Sequence, residues 1–310
     1  MNTAQDTALQ EPSPRTPSVF GLAGRIVGLF AVYLVVYVGL LAVYPSDLPM
    51  PADASPAALF GGIMLTIAVD TGIIALLVLR SRWRGWKLAA AVGFAMYGVI
   101  TVMSVSEAWY FGPALGITPE MLPELIVPNL FVMAVVAPLS VLILGRFRAA
   151  PEPAHAPGLP RTSAWIWVAK LVSIVVVYCV LYFAFGMIVA WQNPAVQELY
   201  DAAAHPEIFA LGSLLAFQVI RALVWVVFAL PVIRMTKGRW WAVALTVALL
   251  FALPMNVVHF QPNPFMPDPS VRMSHFVETT VSNFLYGLFV VWVLLRAGRR
   301  CGRLRGARHA

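Results

Sequence analysis

His275 and Glu278 stand three residues apart in a long apolar run, a spacing that aims both side chains at one centre if the run is helical. An imidazole beside a carboxylate can pass a proton or hold a cation. The same stretch continues a polar stripe through Thr279, Ser282 and Tyr286, all within about 100° on a helical wheel. Such a stripe must face away from lipid. Three further groups belong at the same level: Glu107 at the end of one apolar run, His259 at the end of another, and Arg272 just before His275. Glu107, His259, Arg272, His275 and Glu278 are therefore expected to converge on one pocket. Two His and two Glu form a donor set that a divalent metal accepts. The chain has no HExxH, no HxxxH pair and no aspartate-rich motif, so no cofactor is expected, and a metal stays an alternative for this set.

Two other charges lie deep in apolar surroundings. Asp70 and Arg221 fall in different runs, each about 15–20 Å from the nearer basic loop at the helical rise per residue. An ionised side chain at that depth costs at least ~2.5–3.5 kcal/mol unless it finds a partner. Their matched depths predict an Asp70–Arg221 pair, with Gln218 one turn before Arg221 as a further hydrogen-bond partner. That pair reads either as a relay point for a proton or anion, or as a fixed lock between helices.

The elements that carry these residues follow from composition. The chain has 310 residues, 60% of them hydrophobic and 11% charged. A soluble domain is nearer one quarter charged, so the bilayer is the expected solvent. A span needs about 20 apolar residues. Eight runs qualify, near 20–44, 57–80, 88–107, 124–146, 163–190, 208–234, 240–259 and 273–296. Pro254 is expected to kink the seventh. Of the 21 Lys and Arg, all but Arg221 and Arg272 fall on one side of this arrangement. The connections on the other side carry Glu120, Glu124, Glu198, Asp201, Glu207 and Asp268. By the positive-inside pattern both termini are cytoplasmic. The net charge of +7 is explained by those loops and does not indicate nucleic acid. The preference for Arg over Lys, with abundant Ala, suggests a GC-rich bacterial genome and hence an inner (plasma) membrane. No cleavable signal peptide is evident, and Cys179 and Cys301 are placed where they cannot form a useful disulfide.

The hydropathy plan repeats. Arg25, Tyr33 and Tyr37 in the first run match Lys170, Tyr178 and Tyr182 in the fifth at identical spacings. Arg80, Gly85 and Trp86 after the second run resemble Arg234, Gly238 and Trp240 after the sixth. The expected fold is thus an all-α integral membrane bundle of eight transmembrane helices, a tandem duplication of a four-helix unit. Residues 1–148 form the first repeat, 149–162 a Pro/Ala-rich cytoplasmic linker, 163–296 the second repeat and 297–310 a basic tail. The proline-rich run Gln261–Pro269 should form a stiff external loop able to cap a cavity.

The stretch NPFMPDPSVRMSHFVETTVSNFLYG, Asn263 to Gly287, resembles a segment of bacterial polytopic membrane proteins that carry no assigned activity. EAWYF, Glu107 to Phe111, is similar to an acidic-aromatic element in their first half. The resemblance implies that both elements belong to one site, and nothing about chemistry.

Several functions are excluded. There is no GxSxG, no Walker A loop and no GxGxxG, so hydrolase-type nucleophiles and nucleotide-driven transport by this chain alone are not expected. The leading expectation is a protein that handles a small polar or amphiphilic solute, as a transporter or membrane subunit, through an extracytoplasmic polar pocket. Its partners would be membrane lipids and that solute. The alternatives are a membrane-embedded enzyme using Glu278 or Glu107 with His275 near the outer face, and a non-catalytic scaffold or sensor.

Overall fold

The computed structural model describes residues 19–44, 48–49, 54–148, 159–160, 162–202 and 204–296. Most of the 149–162 linker, all of the 297–310 tail and Cys301 lie outside the described residues. The chain is an all-α bundle. Its helices are α1 (Val19–Val43), α2 (Pro56–Leu79), α3 (Gly85–Tyr97), α4 (Met103–Leu115), α5 (Leu122–Ile143), α6 (Ala164–Ile188), α7 (Pro194–Tyr200), α8 (Pro206–Phe209), α9 (Leu211–Met235), α10 (Trp240–Ala252) and α11 (Pro269–Arg296). A π-helical turn, Gly98–Val102, joins α3 to α4 into one 31-residue rod, Gly85–Leu115.

Local chemistry sets the ends. Ser55 caps α2 by accepting a bond from the Ala58 amide at 3.1 Å, and Pro56 starts the helix where its missing N–H costs nothing. α4 stops at Gly116, whose φ of 69° is the left-handed conformation a helix end favours. Asp268 opens α11 by accepting from the Ser270 amide at 2.6 Å, and that bond holds its exposed carboxyl below the usual range.

Seven helices among the described residues are long and apolar enough to cross a membrane, so the protein is a multi-pass membrane protein. The exposed side chains along them are largely apolar, such as Val35, Val176, Ile220 and Trp292, as contact with lipid requires.

The predicted span 240–259 differs from expectation. It forms α10, only 13 residues, followed by a turn and a 3₁₀ turn at Val257–Phe260. At about 1.5 Å per residue, α10 covers about 20 Å of a hydrocarbon core about 30 Å thick. Pro254 supplies no amide to the preceding turn, so the helix ends there instead of merely bending. Asn256, fully buried, repairs the break: its Nδ2 donates to the Ala252 carbonyl at 2.7 Å, while Thr279 Oγ1 donates to its Oδ1 at 2.7 Å. The polar stripe of α11 thus satisfies a discontinuity in its neighbour.

Two glycines let helices approach closely. A Cβ on Gly98 would overlap the Phe228 ring of α9. A Cβ on Gly287 would sit 2.6 Å from the Ala248 Cα, so α11 and α10 touch backbone to backbone.

The helix ends sort onto two faces. On one, Ser81 and Thr236 form an antiparallel bridge in which the Arg82 amide donates to Met235 O and the Lys237 amide to Arg80 O, both at 2.7 Å. The Gly85 amide donates to Arg146 O at 3.1 Å at the same end. This face gathers the C-termini of α2, α5 and α9 with the N-termini of α3 and α10, and carries the basic loops. On the opposite face Tyr110 donates its hydroxyl to Ile208 O at 2.7 Å, and Asn193 donates to Ser270 and Ser274 at the start of α11.

Candidate functional site

The bundle holds a partly open cavity of about 600 Å³. It is walled by α1, α2, the π turn with α4, α6, α7 and α11, and covered by the chain between Pro254 and Met266. The proline-rich loop is pinned over it. Gln261 packs against Gly62 of α2 and donates to Thr66 Oγ1 at 2.6 Å.

Four of the five residues expected in an outer pocket line this cavity: Glu107, His259, His275 and Glu278. Arg272 is not among the lining residues. Its Nη1 donates to Met266 O at 2.9 Å and Pro267 O at 2.6 Å, so its work is to hold the loop shape. Asp70 lines the same cavity, which joins two sites the sequence presented separately.

The expected Asp70–Arg221 pair is corrected. Arg221 Nη2 meets Glu107 Oε1 at 2.5 Å, and its Nη1 donates to Gln218 Oε1 at 3.3 Å. Asp70 Oδ2 instead accepts from the Tyr33 hydroxyl at 3.1 Å. Matching depth brought Asp70 and Arg221 level without turning them toward each other. Direction is set by rotation about the helix axis. α4 packs beside α9 and presents Glu107 to Arg221, whereas α2 turns Asp70 toward α1.

His275 and Glu278 do meet: Nδ1 lies 3.1 Å from Glu278 Oε2. The other ring nitrogen, Nε2, lies 3.2 Å from the Tyr200 hydroxyl. A carboxylate only accepts, which assigns the neutral ring's proton to Nδ1 and leaves Nε2 to accept from Tyr200. Burial, reinforced by the charges of Glu107 and Glu278, pushes the Tyr200 phenol well up and keeps it a donor. Tyr200, His275 and Glu278 therefore form a continuous donor–acceptor chain at the cavity wall. The His259 ring stacks beside His275 with centroids 6.1 Å apart. Gly186 lines the cavity beside Glu278: a Cβ there would lie 3.6 Å from Glu278 Oε1, an ordinary contact, and a larger side chain would extend into the cavity.

Tyr200 is the member that sequence reasoning missed. It sits in a short connecting helix with no long apolar period to flag it. It is held by an aromatic cluster of Phe111, Trp191, Phe209 and Phe217 that forms a second small core. Tyr33 had a signal, its place in the repeat pattern, but not as a partner for Asp70. Among the described residues no group of three or more His, Cys, Asp or Glu side chains comes together that could hold a metal ion.

No family model, no curated protein and no solved structure matches this chain. Its function must be read from the cavity.

Proposed function

We propose that the chain is a bacterial inner-membrane protein of two four-helix repeats whose cavity binds a small amphiphilic solute as one state of a transport route. The observation that carries this reading is the single cavity linking the Tyr200–His275–Glu278 chain to Asp70. Its walls mix apolar and polar side chains in a volume typical of small-molecule sites. Toward the basic face the space below Asp70 and Arg221 is filled by Ile74, Leu77, Met96 and Trp225, all fully buried. The solute therefore enters from the face opposite the basic loops, and passage requires that packing to rearrange.

Two observations support the repeat. The Ser81–Thr236 bridge pairs the two corresponding turns symmetrically, each donating one backbone amide to the other. Counting from those turns, the π turn of the first half falls level with the break after α10 in the second. A two-fold axis along the membrane normal, through the bridge, accounts for both.

The matching topology puts the basic face, the 149–162 linker and both termini in the cytoplasm, with the segment 240–269 crossing as helix, 3₁₀ turn and loop. Alkaline-phosphatase fusions are expected to be active after residues 115, 198 and 265 and silent after 84, 155 and 237. Equal activity at 237 and 265 would remove the crossing.

The solute-binding reading is tested by mass spectrometry of small molecules released from protein purified in lipid nanodiscs. The wild type should retain a compound that Gly186→Trp, which narrows the cavity beside Glu278, retains less well. Identical profiles would count against it. Glu278→Gln should keep folded yield within error and weaken retention about tenfold, because an amide is a poorer acceptor for the His275 N–H than a carboxylate. A large fall in thermal stability, with retention unchanged, would assign Glu278 a purely structural role. An enzyme reading is favoured by one feature, the donor–acceptor chain itself, which can move a proton to or from a bound group. Turnover of the retained compound by wild type but not Glu278→Gln would establish it over transport.

A further inference from the structure

We infer that Asp70 is the seat for a cationic nitrogen, so that the cavity's ligand is an amphipathic organic amine. This rests on the cavity reading above and names the solute class.

Three carboxylates line the cavity, and two are already answered. Glu107 is met by Arg221, and Glu278 by His275. Asp70 is 1% exposed and has only the Tyr33 hydroxyl on Oδ2; its Oδ1 is buried without a hydrogen-bond partner among the described residues. Unmatched carboxylate oxygens are rare in packed interiors, because the lost hydration is not returned. No Lys or Arg is among the residues that line the cavity, so the protein supplies no cation there. An anionic solute would meet the unpaired Asp70 and no free guanidinium or ammonium group, since Arg221 is already taken by Glu107. Asp70 is the one lining acid with no basic side chain against it, and a turn of its side chain presents a carboxylate oxygen to an ammonium group in the cavity. Thr101 Oγ1, also buried without a partner and also on the cavity wall, offers a second acceptor for an N–H. Tyr33 and Tyr37 line the same wall, and aromatic rings attract a nearby cation. The remaining wall, including Ile67, Phe183 and Met187, suits a hydrocarbon or aromatic body.

The test uses full-length protein in lipid nanodiscs and three compounds with one skeleton: 4-phenylbutylamine, 4-phenylbutanol and 4-phenylbutyrate. Binding is read from the shift in thermal unfolding midpoint and by calorimetry, against empty nanodiscs. The amine should bind at least about tenfold more tightly than the alcohol, the strength of a charge-assisted bond, and the acid should not bind. Asp70→Asn should erase the preference for the amine, and Asp70→Glu should keep part of it. The proposal is overturned if the alcohol matches the amine on wild type, if Asp70→Asn keeps the preference, or if the amine does not bind. The comparison on wild type stands even if a variant folds poorly. Gly186→Trp separates the two levels. If it loses amine and alcohol that bind wild type equally, the cavity stands and the cation seat falls. If it binds the amine like wild type, the cavity is not the site and the proposed function falls with it.

Discussion

Glu107→Gln will destabilise the bundle by about 3 kcal/mol, and adding Arg221→Gln will return most of that loss. Arg221 is buried in α9, and its guanidinium reaches one carboxylate, at 2.5 Å. Removing that carboxylate leaves a full charge in low dielectric with Gln218 and the Phe217 face as its remaining named contacts. Glu107 keeps about a quarter of its side chain exposed to the cavity, which places the cost at the lower end of the range for a broken buried pair. Neutralising both removes the stranded charge and leaves two amides that can bond each other. Unfolding in detergent, run as a double-mutant cycle, should give a coupling of about 2 kcal/mol or more between Glu107 and Arg221. The same cycle on Asp70 and Arg221 should give a coupling near zero. Additive losses for the first pair would show that the contact contributes nothing.

Gly287→Ala will cost about 1–3 kcal/mol, and Gly287→Val more, by forcing α11 away from α10. The added carbon would lie 2.6 Å from Ala248 Cα and 2.9 Å from Ala248 N. Both are backbone atoms, so no rotamer change can relieve the overlap, and Ala248→Gly should rescue nothing. Gly98→Ala provides the contrast. There the overlap is with the Phe228 side chain, so Phe228→Ala should recover part of the loss. Thermal unfolding of these variants, singly and in the two rescue pairs, decides it. Rescue of Gly287→Ala by Ala248→Gly would mean the helices are not in backbone contact.

The helices and their two faces were legible because apolar length and loop charge are properties of the chain read in one dimension. Seven of the eight expected spans are helices of spanning length. The eighth hid its break because Val257 and Val258 prolong the apolar run past Pro254, so hydropathy stays high where helical hydrogen bonding has stopped. The pairing of His275 with Glu278 was legible because both lie on one helix, where spacing alone sets direction. Partners on different helices were not. Arg221 was matched to Asp70 by depth, but the π turn at Gly98–Val102 inserts a residue ahead of Glu107 and rotates everything after it. No straight helical wheel shows where Glu107 then points. Tyr200 was unreadable for another reason: its position depends on aromatic packing between segments distant in sequence.

The break after Ala252 also bears on how the protein reaches its membrane. A segment of 13 helical residues is too short to be a stable guest in lipid when it first leaves the ribosome. Its last carbonyl is satisfied by Asn256, whose own oxygen waits for Thr279 on the next helix to be made. α10 is therefore expected to depend on α11 for its place in the membrane: in a glycosylation-mapping assay, a chain truncated before Pro269 should insert the 240–260 segment less well than one that includes α11.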